Sequence, residues 1–223
     1  MARLLRVDSS PMGEGAISRQ LTNEFVHQWL GADPHGTIIT RDLTITSIPA
    51  VSAAWVSANY IPEASRTKEQ TQLLTLSREF IAELLDATEC VLGMPMHNWG
   101  PPSSFKLWVD QIVTPQTKLT RPLTGKKTTF IIAAGGTYSP GSRDESKNHL
   151  VPWLRTVFAS LGADEMRFVL ADGTRHIYNG KFVLAEGPRL IYNAKIERTK
   201  FIATHKGDVR ALFAREQAAL DIH

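Results

Sequence analysis

The chain has 223 residues, 43% of them hydrophobic and 21% charged, as in globular proteins with a full core, and we expect residues 1–223 to form a single domain. The formal net charge of +3 comes from basic residues scattered among acidic ones, which favours a solvated surface over a nucleic-acid site. The single cysteine, Cys90, excludes an intrachain disulfide and a cysteine-based zinc site, and the absence of a signal-peptide pattern or a membrane-spanning run indicates a cytoplasmic protein without a membrane segment.

Short apolar runs alternate with amphipathic segments along the chain. Apolar runs bounded by turn residues predict buried strands at residues 4–7, 37–40, 90–94, 128–134 and 167–171. Apolar residues at helical spacing predict helices at residues 18–30, 64–86, from 101 or 102 onward, 145–161 and 208–220. Residues 44–62 have no clear period and read as a long connection, with or without a short helical turn. Because strands alternate with helices, we expect an α/β fold with a doubly wound, five-stranded parallel sheet in the order 2-1-3-4-5.

Three unusual loops follow the first, third and fourth predicted strands, at residues 9–18, 95–102 and 133–138. In a 2-1-3-4-5 sheet these strand ends are neighbours around the crevice where the winding reverses, and ligands bind there. The first loop joins hydroxyls and glycines to a helix start, where backbone N–H groups and the helix dipole favour a phosphate. An ordinary loop with Ser18 as the helix N-cap explains the same residues equally well.

The second loop, PMHNWGPP, is the most specific of the three. Its prolines make it rigid, so its backbone amides can meet the edge of a flat ring that Trp99 would cover. Trp108, on the apolar face of the next helix, is better explained as a core aromatic. His97 is either a proton donor or an ordinary loop histidine. In the third loop, the glycines of AAGGTYS allow close approach to a ligand or a tight turn.

These motifs together resemble the FMN-dependent NADH-azoreductase family, also called FMN-dependent NADH:quinone oxidoreductases. The resemblance runs from the N-terminus to about residue 171, through Asp8-Ser9-Ser10-Pro11, SRQLTNEFVHQW, PMHNWGPPSSFKLWVDQIV and AAGGTYSPG. It implies a flavodoxin-like fold that binds FMN. The residues that would hold its phosphate are Ser10, Ala16, Ile17 and Ser18. Those that would contact its isoalloxazine ring are Met96, His97, Asn98 and Trp99. Those that would hold the pyrimidine side of that ring are Ala133, Ala134, Gly135 and Gly136.

The resemblance also implies an activity and an assembly. Hydride would pass from NADH or NADPH through FMN to a quinone or azo compound by a ping-pong mechanism. The protein would be a homodimer with the active site at the subunit interface. No side chain need act as an obligatory acid or base, and His97 and Tyr138 are candidates to guide a proton.

Three departures from the family pattern leave other interpretations open. Ala16 replaces a hydroxyl of the phosphate segment, His97 replaces a tyrosine, and Ala134 stands where the family has an arginine. A flavodoxin-like electron carrier, or a ligand-binding protein that has lost the flavin, therefore remains an alternative to the enzyme.

One feature is not explained by the resemblance. Residues 167–180 and 181–194 read RFVLADGTRHIYNG and KFVLAEGPRLIYNA, which indicates a tandem duplication. We assign the first copy to the fifth strand, because its spacing from the preceding helix is short. Asn179-Gly180 indicates a two-residue hairpin, so we expect an excursion of antiparallel strands near 175–203. This excursion would wall the flavin site or contact a partner subunit, or else be a tolerated surface insertion.

Overall fold

The computed structural model describes residues 1–174 and 189–220, without the side chains of residues 189–198 and 216–220. Within these residues, parallel strands form one sheet in the order β2-β1-β3-β4-β5, which confirms the predicted topology. The strands are β1 Arg3–Asp8, β2 Thr37–Asp42, β3 Glu89–Pro95, β4 Lys127–Ala133 and β5 Glu165–Ala171. The central strands β3 and β4 are buried along nearly their whole length, as expected for a parallel sheet covered on both faces.

The helices are α1 Ile17–Ala32, α2 Ala53–Asn59, α3 Lys68–Leu73, α4 Thr75–Asp86, α5 Ser103–Ile112, α6 Pro115–Thr120, α7 Leu150–Ser160 and α8 Arg189–Leu220. The predicted helix 64–86 is divided at Leu74, whose buried side chain packs against Trp55 and Ala58 of α2, the short helix within the connection expected at 44–62. Ser18 is not the N-cap of α1. Ala16 takes the extended conformation of that position, and Ser18 is buried in the first turn.

The core lies on both faces of the sheet. Along β4, Phe130 faces a cluster that contains Trp108 and Phe158, and Ile131 faces a second cluster with Phe25. Trp108 is fully buried, which confirms its interpretation as a core aromatic. The helices α4, α5 and α7 cover the first face, and α1 and α8 cover the second.

The C-terminal region differs from the prediction. Helix α8 begins at Arg189 rather than at 208, so the expectation of antiparallel strands is wrong for residues 189–203. The predicted turn at Asn179-Gly180 lies outside the described residues. Residues 167–171 of the first repeat copy lie in β5 as assigned, whereas residues 189–194 of the second copy lie in α8. Burial against α1 stabilises the C-terminal part of α8, since Val209 is fully buried and Phe213 meets Phe25 edge to face at 4.9 Å between ring centroids.

An ion pair also joins α8 to α1. Glu24 is 6% exposed, and its carboxylate accepts a hydrogen bond from Arg210 Nε at 2.7 Å and lies 3.4 Å from Lys206 Nζ. The hydrogen bond from Arg210 is the main cause that lowers the pKa of Glu24 below its ordinary value of 4.5. Because the folded-state pKa is depressed, this contribution to stability is present above pH 4.5 and is lost as the pH falls through the folded-state value.

We therefore expect Glu24→Gln to lower the free energy of unfolding by about 1 kcal/mol at pH 7 and to have little effect at acidic pH. Urea unfolding at both pH values measures this. The control is Glu63→Gln, which removes a pair with Arg78 that is exposed on both sides, and it should change stability at neither pH. If Glu24→Gln lost the same free energy of unfolding at both pH values, the ionised carboxylate of Glu24 would not be the source of the stabilisation.

Cys90 is buried in the middle of the sheet and is 1% exposed. Burial raises the pKa of its thiol to about 12, so almost no thiolate exists at neutral pH. We expect the native protein to resist a thiol reagent at pH 8 and to take up one equivalent after unfolding. Rapid labelling of the native protein would show that this thiol is accessible and reactive.

Candidate functional site

A cleft of about 340 Å³ opens at the carboxyl ends of the strands. It is lined by Ser10, Pro11, Met12, Ile17, Ser18, Pro95, Met96, His97, Ala133, Gly135 and Thr174. The loops after β1, β3 and β4 all contribute, as the strand order predicts. The volume lies within the range of about 300–1,000 Å³ that is common for small-molecule sites.

One end of the cleft is formed by the start of α1 and the loop after β1. The hydroxyl-bearing residues Ser10 and Ser18 line it together with Ile17. The first N–H groups of an α-helix have no partner within the helix, and the N-cap residue Ala16 has no side-chain oxygen to satisfy them. Hydroxyls and helix-start amides in one place form a donor set that suits a phosphate.

A buried polar cluster holds this helix start against the sheet. Asp8, at the end of β1, accepts hydrogen bonds from Thr22 Oγ1 in α1 at 2.9 Å and from Arg6 Nε at 2.6 Å. Burial raises the pKa of the Asp8 carboxyl, and the positive charge of Arg6 opposes that rise. Gly93 in β3 leaves the space for this cluster, because a Cβ there would lie 2.5 Å from Thr22 Cγ2 and 2.7 Å from Asp8 Oδ1.

The loop after β3 contains a tight hairpin turn. His97 and Gly100 exchange two backbone hydrogen bonds of 2.9 Å, and Met96 N donates to Ala133 O at 2.8 Å. Asn98 and Trp99, the two central residues, have φ values of 48° and 64°, which is the left-handed conformation of a type I′ turn. The turn holds the Trp99 side chain 49% exposed at its tip, whereas His97 reaches the cleft.

A second cleft of about 520 Å³ lies against the same turn. Its lining consists of His97, Asn98, Gly100, Pro101, Ser103, Lys106 and Trp153. His97 therefore borders both clefts.

The loop after β4 turns at Gly136. A Cβ on this residue would lie 2.7 Å from the Tyr138 hydroxyl oxygen and ring, so the tyrosine side chain packs directly on the Gly136 backbone. Ala134 is fully buried, and its N–H donates to Ala171 O at 2.9 Å. Of the two candidate proton guides, His97 lines the cleft and Tyr138 covers the adjacent glycine.

The structure brings together most of the predicted cofactor residues, though not all of them. Those that line the cleft are Ser10, Ile17, Ser18, Met96, His97, Ala133 and Gly135. Those outside the lining are Ala16, Asn98, Trp99, Ala134 and Gly136. Sequence reasoning missed Thr174, which reaches the cleft from the loop after β5. The strand order contained that signal, because the end of β5 is next to the end of β4.

Among the described residues, no helix is long and apolar enough to cross a bilayer. The same residues include no group of three or more His, Cys, Asp or Glu side chains arranged to hold a metal ion.

Comparison with solved structures shows a shared fold. An azoreductase from Bacillus anthracis str. Sterne superposes with a TM-score of 0.73 at 19% identity, covering 95% of this chain and 98% of that one. An FMN-dependent NADH-azoreductase from B. anthracis str. Ames Ancestor, in complex with FMN, gives a TM-score of 0.70 at 18% identity, covering 95% of this chain and 99% of that one.

Comparison of sequences is more specific. A family model described as "Flavodoxin-like fold" matches residues 2–187. The FMN-dependent NADH:quinone oxidoreductase 3 of Burkholderia lata is 45% identical over 221 residues, which cover 96% of this chain and 100% of that protein. The FMN-dependent NADH:quinone oxidoreductase of Acidobacterium capsulatum is 44% identical over 186 residues, covering 80% of this chain and 90% of that protein. The chain therefore belongs to the FMN-dependent NADH:quinone oxidoreductase family and to the flavodoxin-like fold.

Proposed function

We propose that this chain is an FMN-dependent oxidoreductase that transfers hydride from NADH to a quinone or azo compound. The observation that carries the proposal is the cleft at the strand ends, where hydroxyls and a helix start lie at one end and loop backbone at the other. The names of the relatives, NADH:quinone oxidoreductase and azoreductase, support the same activity.

The residues present fit FMN. Its phosphate would be held by Ser10 and by the segment 16–18, where Ala16 adds only a backbone group. The isoalloxazine ring would lie against residues 96–99, and its pyrimidine side against residues 133–136. Bound FMN would supply the two-electron redox chemistry.

The chain's own residues would orient the cofactor and limit water. The turn at 97–100 holds Met96 and His97 in the cleft wall. His97 is exposed to solvent at the rim of the cleft. Because one cleft would serve both substrates, we propose that donor and acceptor occupy it in turn, which is a ping-pong order.

We further propose that residues 1–223 form one FMN-binding domain, that two copies form a homodimer with the cleft at their interface, and that the protein is cytoplasmic. Two apolar side chains support the dimer. Met12, which lines the cleft, is 59% exposed, and Trp99, on the neighbouring turn, is 49% exposed. A partner subunit would cover them and complete the wall.

The test is the absorption spectrum of the purified protein with and without added FMN, followed by NADH oxidation in the presence of menadione. We expect flavin absorption and menadione-stimulated oxidation with parallel double-reciprocal plots. FMN binding without turnover would favour the electron carrier instead. Failure to bind FMN would leave the ligand-binding protein as the better description.

Restoring a hydroxyl at the phosphate segment should tighten FMN binding. We expect Ala16→Ser to lower the Kd for FMN by about two- to tenfold, the value of one net hydrogen bond of about 0.5 to 1.5 kcal/mol. Titration by flavin fluorescence measures it. Ala32→Ser, at the other end of α1, is the control and should leave the Kd unchanged. An unchanged Kd for Ala16→Ser would place the phosphate elsewhere.

A further inference from the structure

The three residues that follow β5 fasten the loop after β4. We name Asp172, Gly173 and Thr174 the latch. Asp172 Oδ2 accepts hydrogen bonds from the backbone N–H groups of Tyr138 at 2.7 Å and Ser139 at 2.8 Å. These are charge-assisted bonds to one carboxylate oxygen, which are stronger than bonds between neutral groups.

The rest of the latch holds the same loop at its other end. Gly173 N donates to Gly136 O at 2.8 Å, and Gly173 has a φ of 77°, a conformation that favours glycine. Thr174 donates to Ala134 O through both its N–H, at 2.9 Å, and its hydroxyl, at 3.0 Å. The loop from Ala134 to Ser139 is thus bound along its length by three consecutive residues.

The latch also contributes to the cleft. Thr174 lines it directly, and so does Gly135, which lies between Ala134 and Gly136, two of the residues that the latch holds. Tyr138, whose N–H is held by Asp172, packs its ring on Gly136. Asp172 does not line the cleft itself, so any effect it has on a ligand passes through the loop.

The tandem repeat supports a specific role for these residues. The second copy has Glu186, Gly187 and Pro188 at the matching places. Proline has no N–H to replace that of Thr174, and glutamate carries its carboxylate one methylene farther from the backbone. The chemistry of the latch therefore belongs to the first copy, which is the one that forms β5.

We propose that Asp172 is a positioning residue for the cofactor cleft, acting by fixing the backbone of the loop 134–139, whose residues 134–136 would meet the pyrimidine side of the isoalloxazine ring. This inference rests on the proposed function for the identity of the ligand. The claim that Asp172 orders the loop does not depend on the proposed function, because it can be tested on the protein without FMN.

The test compares Asp172→Ala and Asp172→Asn with the control Asp164→Ala, an exposed aspartate that lies 3.6 Å from Arg121. Hydrogen exchange of the Tyr138 and Ser139 amides in the protein without FMN measures the loop. FMN titration measures the cleft, and thermal unfolding without FMN measures global stability. We expect Asp172→Ala to speed exchange of both amides and to weaken FMN binding about tenfold, with a smaller loss for Asp172→Asn.

Other outcomes distinguish the ordering of the loop, the positioning role of Asp172 and the proposed function from one another. Unchanged exchange and unchanged FMN affinity in Asp172→Ala would overturn the inference. Faster exchange with unchanged affinity would overturn the positioning role, as would an affinity loss that only follows a fall in the melting temperature of the free protein. If the wild-type chain binds no FMN, the proposed function is wrong, and slow exchange in the wild type with fast exchange in Asp172→Ala still supports the ordering of the loop.

Discussion

Gly93→Ala is expected to weaken FMN binding by at least about tenfold and to lower the free energy of unfolding by about 1 to 3 kcal/mol, the usual range for overpacking. The added Cβ would lie 2.5 Å from Thr22 Cγ2 and 2.7 Å from Asp8 Oδ1. Neither neighbour can yield easily, since Thr22 belongs to α1 and Asp8 is buried with its hydrogen bonds to Thr22 and Arg6. The start of α1 must therefore move, and Ser18 in its first turn lines the cleft.

Urea unfolding and FMN titration measure the two effects. The control is Gly31→Ala, near the end of the same helix, where an added Cβ meets no atom within 4 Å. That change should stabilise the protein by about 0.5 to 1 kcal/mol, because alanine loses less backbone entropy than glycine in a helix, and it should leave FMN affinity unchanged. If Gly93→Ala bound FMN as tightly as Gly31→Ala, the start of α1 would not depend on the Asp8 cluster.

Replacing Trp99 is expected to separate stability from function. A φ of 64° at this position is unfavourable for a residue with a Cβ but not for glycine. The free energy of unfolding of Trp99→Gly should therefore exceed that of Trp99→Ala by about 1 kcal/mol. Both variants lose the same indole beside the cleft. We therefore expect both to raise the KM for menadione or the Kd for FMN to a similar degree.

Thermal unfolding of the two variants and steady-state kinetics measure these effects. Equal stability of the glycine and alanine variants would show that the turn is not strained in solution. Unchanged KM and Kd in both would remove Trp99 from the site. The pattern we expect is that of a strained backbone kept at a functional position.

The order of the strands and the place of the cleft follow from the amino-acid sequence alone. Five apolar runs separated by helices led to the order 2-1-3-4-5, and that order places the loops after β1, β3 and β4 together. The motif PMHNWGPP marked the most specific of these loops. These features can be predicted from sequence because the burial of a strand and the start of a helix are determined by a few consecutive residues.

Which atoms of those loops face the cleft depends on how the chain packs in three dimensions. The left-handed backbone of Asn98 and Trp99 turns the Trp99 side chain toward solvent. Ser18 is buried in the first turn of α1, so Ala16 is the N-cap of that helix. Helix α8 begins at Arg189, a start that the pattern of the repeat did not indicate, and Phe201 and Ile202, which precede the predicted start at 208, pack against the cluster that contains Phe25 of α1.

The roles of Asp172 and Glu24 also depend on how the chain packs in three dimensions. The partners of Asp172 are the backbone amides of Tyr138 and Ser139, and the partner of Glu24 is Arg210. Each pair is brought together by the packing of elements that are far apart in the chain. Spacing along a sequence reports periodic burial, whereas a hydrogen bond between distant segments depends on distance and direction in the folded state, which spacing does not contain.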